Sequence, residues 1–181
     1  MPKLYLVRHG KAAGSFGEDA DPGLSQEGRG EADAVAEELK ARGPLAVVTS
    51  PLRRCRETAA PLAALWRREA RVLEAVREVP SPVPFAERGE WLRGFLQTSW
   101  DKAPAELLAW REGVVAALKA LTEDTVVFTH FVPINVAVGA AKDTRRIVNF
   151  SPDNCSVTIL HADAHALAVL DLGREAKTVI R

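Results

Sequence analysis

Leu4-Tyr5-Leu6-Val7-Arg8-His9-Gly10 opens the chain with a short apolar run that stops on an arginine, a histidine and a glycine. Four consecutive apolar residues predict a short buried strand over 3–8, and Gly10 begins a loop rich in Gly, Asp and Ala that lasts to Gly23. Ser25 reads as an N-cap, and Ala32, Val35, Ala36 and Leu39 carry helical periodicity across 31–42 until Gly43-Pro44 stops it. Residues 45–48 predict a second buried strand, 52–68 a helix with arginines on its exposed side, and 71–76 a third strand.

Pro80, Pro82 and Pro84 then break any regular element. A short helix over 87–96 belongs to an insertion or lid at about 77–103. Pro104 opens a long helix in which Leu107, Trp110, Val114, Leu118 and Leu121 recur three or four apart. Residues 125–128 predict a fourth strand and 133–141 a helix, and 156–160 with 166–170 a terminal hairpin turning near Asp163. Strands that alternate with helices predict a three-layer α/β/α sandwich around a mainly parallel central sheet. Cutting the chain at the proline cluster would leave neither half a convincing core, so 1–181 reads as a single domain.

The 181 residues are 47% apolar and 27% charged, which argues against bulk disorder. The formal net charge is +0, so the overall field gives no reason to expect nucleic acid or an anionic membrane as partner. A small anionic substrate must instead be held by a local cluster of cations. Cys55 and Cys155 make no disulfide framework and lack zinc-ligand spacing. The apolar run at 4–7 is too short for a signal peptide and no window approaches a membrane span, so the expected compartment is the cytoplasm. No coiled-coil pattern decides the oligomeric state.

Ligands of open α/β sheets bind beyond the carboxyl ends of the strands. Those ends carry Arg8-His9-Gly10, then Ser50 followed by Arg53 and Arg54, then Arg77-Glu78, then Thr129-His130. Histidines, arginines and one carboxylate on a single edge suit phosphoryl transfer. Arginine grips phosphoryl oxygens as a planar fork, a neutral imidazole is a nucleophile near pH 7, and a carboxylic acid can protonate a leaving oxygen.

These segments resemble the histidine phosphatase superfamily, the phosphoglycerate mutase-like proteins. Leu6-Val7-Arg8-His9-Gly10 resembles its opening motif, and Ser50-Pro51-Leu52-Arg53-Arg54-Cys55-Arg56-Glu57-Thr58-Ala59 its second. Val126-Val127-Phe128-Thr129-His130 resembles the strand with the second family histidine, and Asn154-Cys155-Ser156 a late segment. The resemblance implies that His9 is the nucleophile and becomes a phosphohistidine, that Arg8 and Arg54 clamp the phosphoryl oxygens, and that His130 adds a donor. It implies no metal or other cofactor, and a small phosphorylated substrate. Glu78 is the first candidate for proton donor, with Glu87 and Glu90 as rivals. Phe131 departs from the pattern, which usually has glycine there, and Lys11-Ala12-Ala13 lacks the asparagine usual in the mutase branch.

The leading expectation is a metal-independent phosphatase acting on phosphomonoesters of small metabolites. A protein phosphohistidine phosphatase is an alternative, on the small size and the Lys11-Ala12 continuation. A mutase-like phosphotransferase is another, and so is a catalytically idle phospho-ligand-binding protein, on Phe131 and the open choice of acid. His161 and His165, flanking the terminal turn, read as surface residues, and Trp91 with Phe95 as the aromatic pair that touches substrate.

Overall fold

The computed structural model describes residues 1–14 and 19–177. The 10–23 loop therefore lies partly outside the described residues. The strands are β1 (Lys3–Arg8), β2 (Ala46–Thr49), β3 (Ala70–Val72), β4 (Thr125–Thr129), β5 (Val157–Ala162) and β6 (Leu167–Asp171). They form one sheet in the order β3-β2-β4-β1-β5-β6. β1 to β4 are mutually parallel, while β5 runs antiparallel to β1 and pairs with β6 as a hairpin.

The helices are α1 (Gln26–Lys40), α2 (Arg53–Trp66), α3 (Arg88–Phe95), α4 (Ala105–Lys119) and α5 (Phe131–Ala141). Leu4 and Leu6 of β1 pack with residues of α4 and α5, whereas Tyr5 and Val7 pack with residues of α1 and α2. Both faces of the sheet are thus covered, and that is why β1 is apolar without alternation. α1 begins where its cap was read, with Ser25 Oγ accepting from the Gly28 N–H at 3.0 Å.

Two elements differ from expectation. The third strand stops at Val72, and residues Glu74–Val76 form a 3₁₀ turn. β3 is an edge strand, and continuing it would have carried Val76 away from the interior. Instead the backbone turns inward, Val76 and Val79 enter the core, and Thr129 Oγ1 donates to Val76 O at 2.6 Å. α5 starts at Phe131, two residues early, directly after His130; Pro133 sits in its first turn, where a missing N–H has little consequence.

The expected insertion contributes to the core as well. Phe95 and Trp100 are buried among the residues that pack with α4 and α5. Trp91 stacks on Phe95 with ring centroids 4.9 Å apart. Phe95 is thus a packing residue, while Trp91 stays part-buried with the Arg88 guanidinium carbon 5.9 Å from its ring centroid.

Candidate active site

The parallel ladder carries the first two candidate residues past the sheet edge together. Arg8 is in register with Thr129, and the His9 N–H donates to Thr129 O at 3.0 Å. β2 follows suit, with the Ser50 N–H donating to Phe128 O at 2.9 Å. His9, Ser50 and His130 therefore leave three adjacent strands side by side. The His9 and His130 rings meet edge to face, with centroids 5.2 Å apart.

The chain after His9 is locked by close packing. The Gly10 N–H donates to Thr58 Oγ1 at 3.0 Å, and Thr58 in turn donates to Arg54 O at 2.6 Å. A Cβ on Gly10 would stand 2.7 Å from Gly28 O, so the loop can lie against α1 only with glycine there. Thr58 thus couples the His9 loop to the helix that carries Arg54.

His9 is held in one tautomer. Its Nδ1 lies 2.8 Å from Gly10 O, a carbonyl that can only accept, so Nδ1 carries the hydrogen and Nε2 the lone pair. Arg54 Nε donates to that lone pair at 3.2 Å. Burial first, then the Arg54 and Arg8 charges, push the His9 pKa down to about 3 against the supporting pull of the Gly10 bond. The imidazole is therefore neutral at pH 7, with its electron pair accepting from a guanidinium.

Arg8 is half-buried and donates from Nη1 to Pro152 O at 2.8 Å, while its buried Nε has no partner among the described residues. The loop that receives it is braced by the C-terminal segment. Asp153 N–H donates to Arg174 O at 3.0 Å, and Ala176 N–H to Ser151 O at 2.8 Å. Phe131 lies against the other side of Arg8, its ring centroid 5.3 Å from the guanidinium carbon. The residue that departs from the family pattern thus packs on one of the expected phosphate ligands.

Glu78 follows the 3₁₀ turn that replaced the end of β3. One of its oxygens accepts from the Val79 N–H at 2.9 Å. Burial raises its pKa, against the Val79 bond and the charges of Arg54, Arg88 and Arg8. Its rivals Glu87 and Glu90 are exposed.

Arg88 was missed in the sequence. It sits at the first position of α3, donates from Nη2 to Val79 O at 2.9 Å, and interacts electrostatically with Glu78 and Arg54. A faint signal existed. A cation at a helix N-terminus faces the positive end of the macrodipole, so it needs a tertiary reason to be there. Arg53, by contrast, is exposed and pairs with Glu57 at 2.8 Å. His165 is exposed, and His161 is in register with Lys3 at the other end of β1. Among the described residues no helix is long and apolar enough to cross a membrane.

A sequence model of the histidine phosphatase superfamily (branch 1) matches residues 4–174. The chain is 26% identical to phosphoserine phosphatase 1 of Hydrogenobacter thermophilus, in an alignment covering 95% of this chain and 92% of that protein. It is 36% identical to glucosyl-3-phosphoglycerate phosphatase of Mycobacterium tuberculosis over 61% of this chain and 48% of that protein. Among solved structures, the phosphoserine phosphatase of Entamoeba histolytica in complex with 3-phosphoglyceric acid superposes with a TM-score of 0.77. That pair shares 20% identity, over 96% of this chain and 98% of that one. The two chains share one fold.

Proposed function

This chain belongs to the histidine phosphatase superfamily, and from that premise we propose that it hydrolyses phosphomonoesters of small metabolites through a phosphohistidine at His9. The observation that carries the reading is the state of His9: Nδ1–H is tied to Gly10 O, and the Nε2 lone pair is turned to Arg54. A neutral imidazole whose lone pair rests on a guanidinium becomes the nucleophile when the incoming phosphoryl oxygens take over that N–H and free the lone pair beside the charge they need.

In the first step, Nε2 attacks phosphorus, the N–P bond forms and the ester P–O bond breaks. The leaving oxygen takes its proton from the Glu78 carboxyl. In the second, water attacks phosphorus, Glu78 carboxylate receives the water proton, and the N–P bond breaks to return neutral His9. Arg8, Arg54 and His130 hold the phosphoryl oxygens through both steps. The raised pKa of Glu78 supports the role, because an acid must still hold its proton when substrate arrives.

The charges further favour a substrate with a carboxylate. A phosphomonoester dianion is matched by Arg8 and Arg54, and a protonated Glu78 leaves Arg88 without an ionised partner. Phosphoserine and glucosyl-3-phosphoglycerate, for which two relatives are named, each carry a carboxylate as well as a phosphate. The proposed compartment is the cytoplasm, and segment 77–103 is proposed to cover the substrate.

Turnover of p-nitrophenyl phosphate tests the core of the reading. Native protein should release p-nitrophenol, and protein quenched in alkaline denaturant should carry a phosphoryl group, detectable by mass, that acid then removes. His9→Ala should lower kcat by on the order of 10⁴-fold or more and carry no label. Equal activity in the two proteins would end the proposal.

A further inference from the structure

Behind His130 lies a closed polar wall that the reaction above leaves unused. Ser50, Cys55 and His130 are all fully buried. Ser50 Oγ lies 2.8 Å from His130 Nε2, and Cys55 Sγ lies 3.3 Å from the same nitrogen. Among the described residues, the one hydrogen-bond partner of the second nitrogen, Nδ1, is Cys55 Sγ at 3.8 Å. Nε2 thus makes both of the short contacts to the wall, and Nδ1 makes the long one to sulfur.

The hydrogens in this wall can be assigned. A neutral imidazole has one N–H and one lone pair. Ser50 Oγ already accepts from the Leu52 N–H at 3.3 Å. Cys55 directs its own hydrogen to Thr129 O at 3.4 Å. The hydrogen of Ser50 remains. Its candidate acceptors are an imidazole nitrogen at a good O–H···N distance and a thiol sulfur, which accepts weakly. If Ser50 donates to Nε2, the imidazole hydrogen must be on Nδ1. The reverse choice would leave a lone pair facing phosphoryl oxygens, which also carry only lone pairs.

We propose that Ser50 is a positioning residue that holds His130 as its Nδ1–H tautomer, so that Nδ1–H is the donor presented to the phosphoryl group. Cys55 closes the space beside the ring and limits its rotation. The proposal rests on the reading of His130 as a phosphoryl ligand, but the tautomer itself is measurable without any substrate.

The test is imidazole ¹⁵N NMR of the full chain near pH 7, with the His130 signals assigned by their loss in His130→Gln. A protonated Nδ1 and an unprotonated Nε2 are expected. Ser50→Ala should mix or reverse the two states and weaken vanadate binding by about tenfold. Ser50→Thr, which keeps the hydroxyl, should restore both. A native His130 with its hydrogen on Nε2 overturns the proposal, as does an unchanged tautomer in a folded Ser50→Ala protein. The expected tautomer together with undiminished turnover in His130→Gln would instead remove the phosphoryl-ligand role and leave the tautomer assignment standing.

Discussion

His9 and Glu78 come to the site from scaffolds of different kinds. His9 leaves a central strand, its N–H continues the parallel ladder, its ring is tied to the next carbonyl, and the glycine after it is wedged against α1. Glu78 hangs between a 3₁₀ turn and a proline-rich stretch, and among the described residues the one bond to its carboxylate is from the adjacent Val79 N–H. Arg88, its neighbour, arrives from the far side of that stretch at the start of α3. The half with the proposed nucleophile is overdetermined by the sheet, whereas the half with the proposed acid is positioned by irregular backbone. Chemistry common to all phosphomonoesters needs the first. Leaving groups and substrate bodies differ, and the second is where a chain can vary without disturbing the sheet.

If that division holds, damage to the acid half should depend on the leaving group. Glu78→Gln should lower kcat by about 10²–10⁴-fold on an alkyl phosphate and far less on p-nitrophenyl phosphate, whose leaving oxygen hardly needs a proton. The pH profile should separate the halves too. With its pKa near 3, His9 stays neutral through the working range, so its protonation does not set the acid limb. On alkyl phosphates the rate should fall as pH rises through the raised pKa of Glu78, and Glu78→Gln should abolish that limb. An equal loss on both substrates would place the acid elsewhere.

A smaller effect is expected at Arg88. Arg88→Ala should reduce kcat/KM for phosphoserine or 3-phosphoglycerate by about 10- to 100-fold, the worth of a charge-assisted bond. Glycerol 3-phosphate, which lacks the carboxylate, should be much less affected. Arg88 also lowers the Glu78 pKa, so the alkaline limb should move to higher pH in this variant. Uniform losses on all three substrates would assign Arg88 to the phosphate instead.

The mildest change probes the nucleophile half. Phe131→Leu removes an aromatic face from Arg8, an interaction of about 0.5–1 kcal/mol at such sites. Vanadate affinity should weaken about two- to fivefold, with the leaving-group preference unchanged. Tighter binding or faster turnover in Phe131→Leu would mean that the ring obstructs the site.

Where the sequence was legible, covalent adjacency did the placing. Arg8 and His9 adjoin an apolar run, His130 ends another, and Arg54 begins a periodic helix after Ser50; strand-end logic needs no more. Ser25 and Gly43-Pro44 likewise mark the ends of α1 through local backbone chemistry. The misreadings share a different cause. The third strand was drawn to Val76 because Val72, Leu73 and Val76 suit a strand, and the inward turn is driven by the interior and by Thr129, which is 53 positions away from Val76. Phe95 looked available because its burial against Trp100 is invisible in one dimension.

The amino-acid order by itself determined the layered architecture, the carboxyl edge as the place for chemistry, and the identity of the groups at the ends of β1, β2 and β4. Each of these follows from local periodicity and from residues adjacent in the chain. Only the tertiary structure decided that Arg88 comes back to Glu78, that Phe131 covers Arg8, and that Ser50 and Cys55 meet the ring of His130. Those contacts join residues that the chain separates, and their strength depends on burial, which no short stretch of sequence specifies.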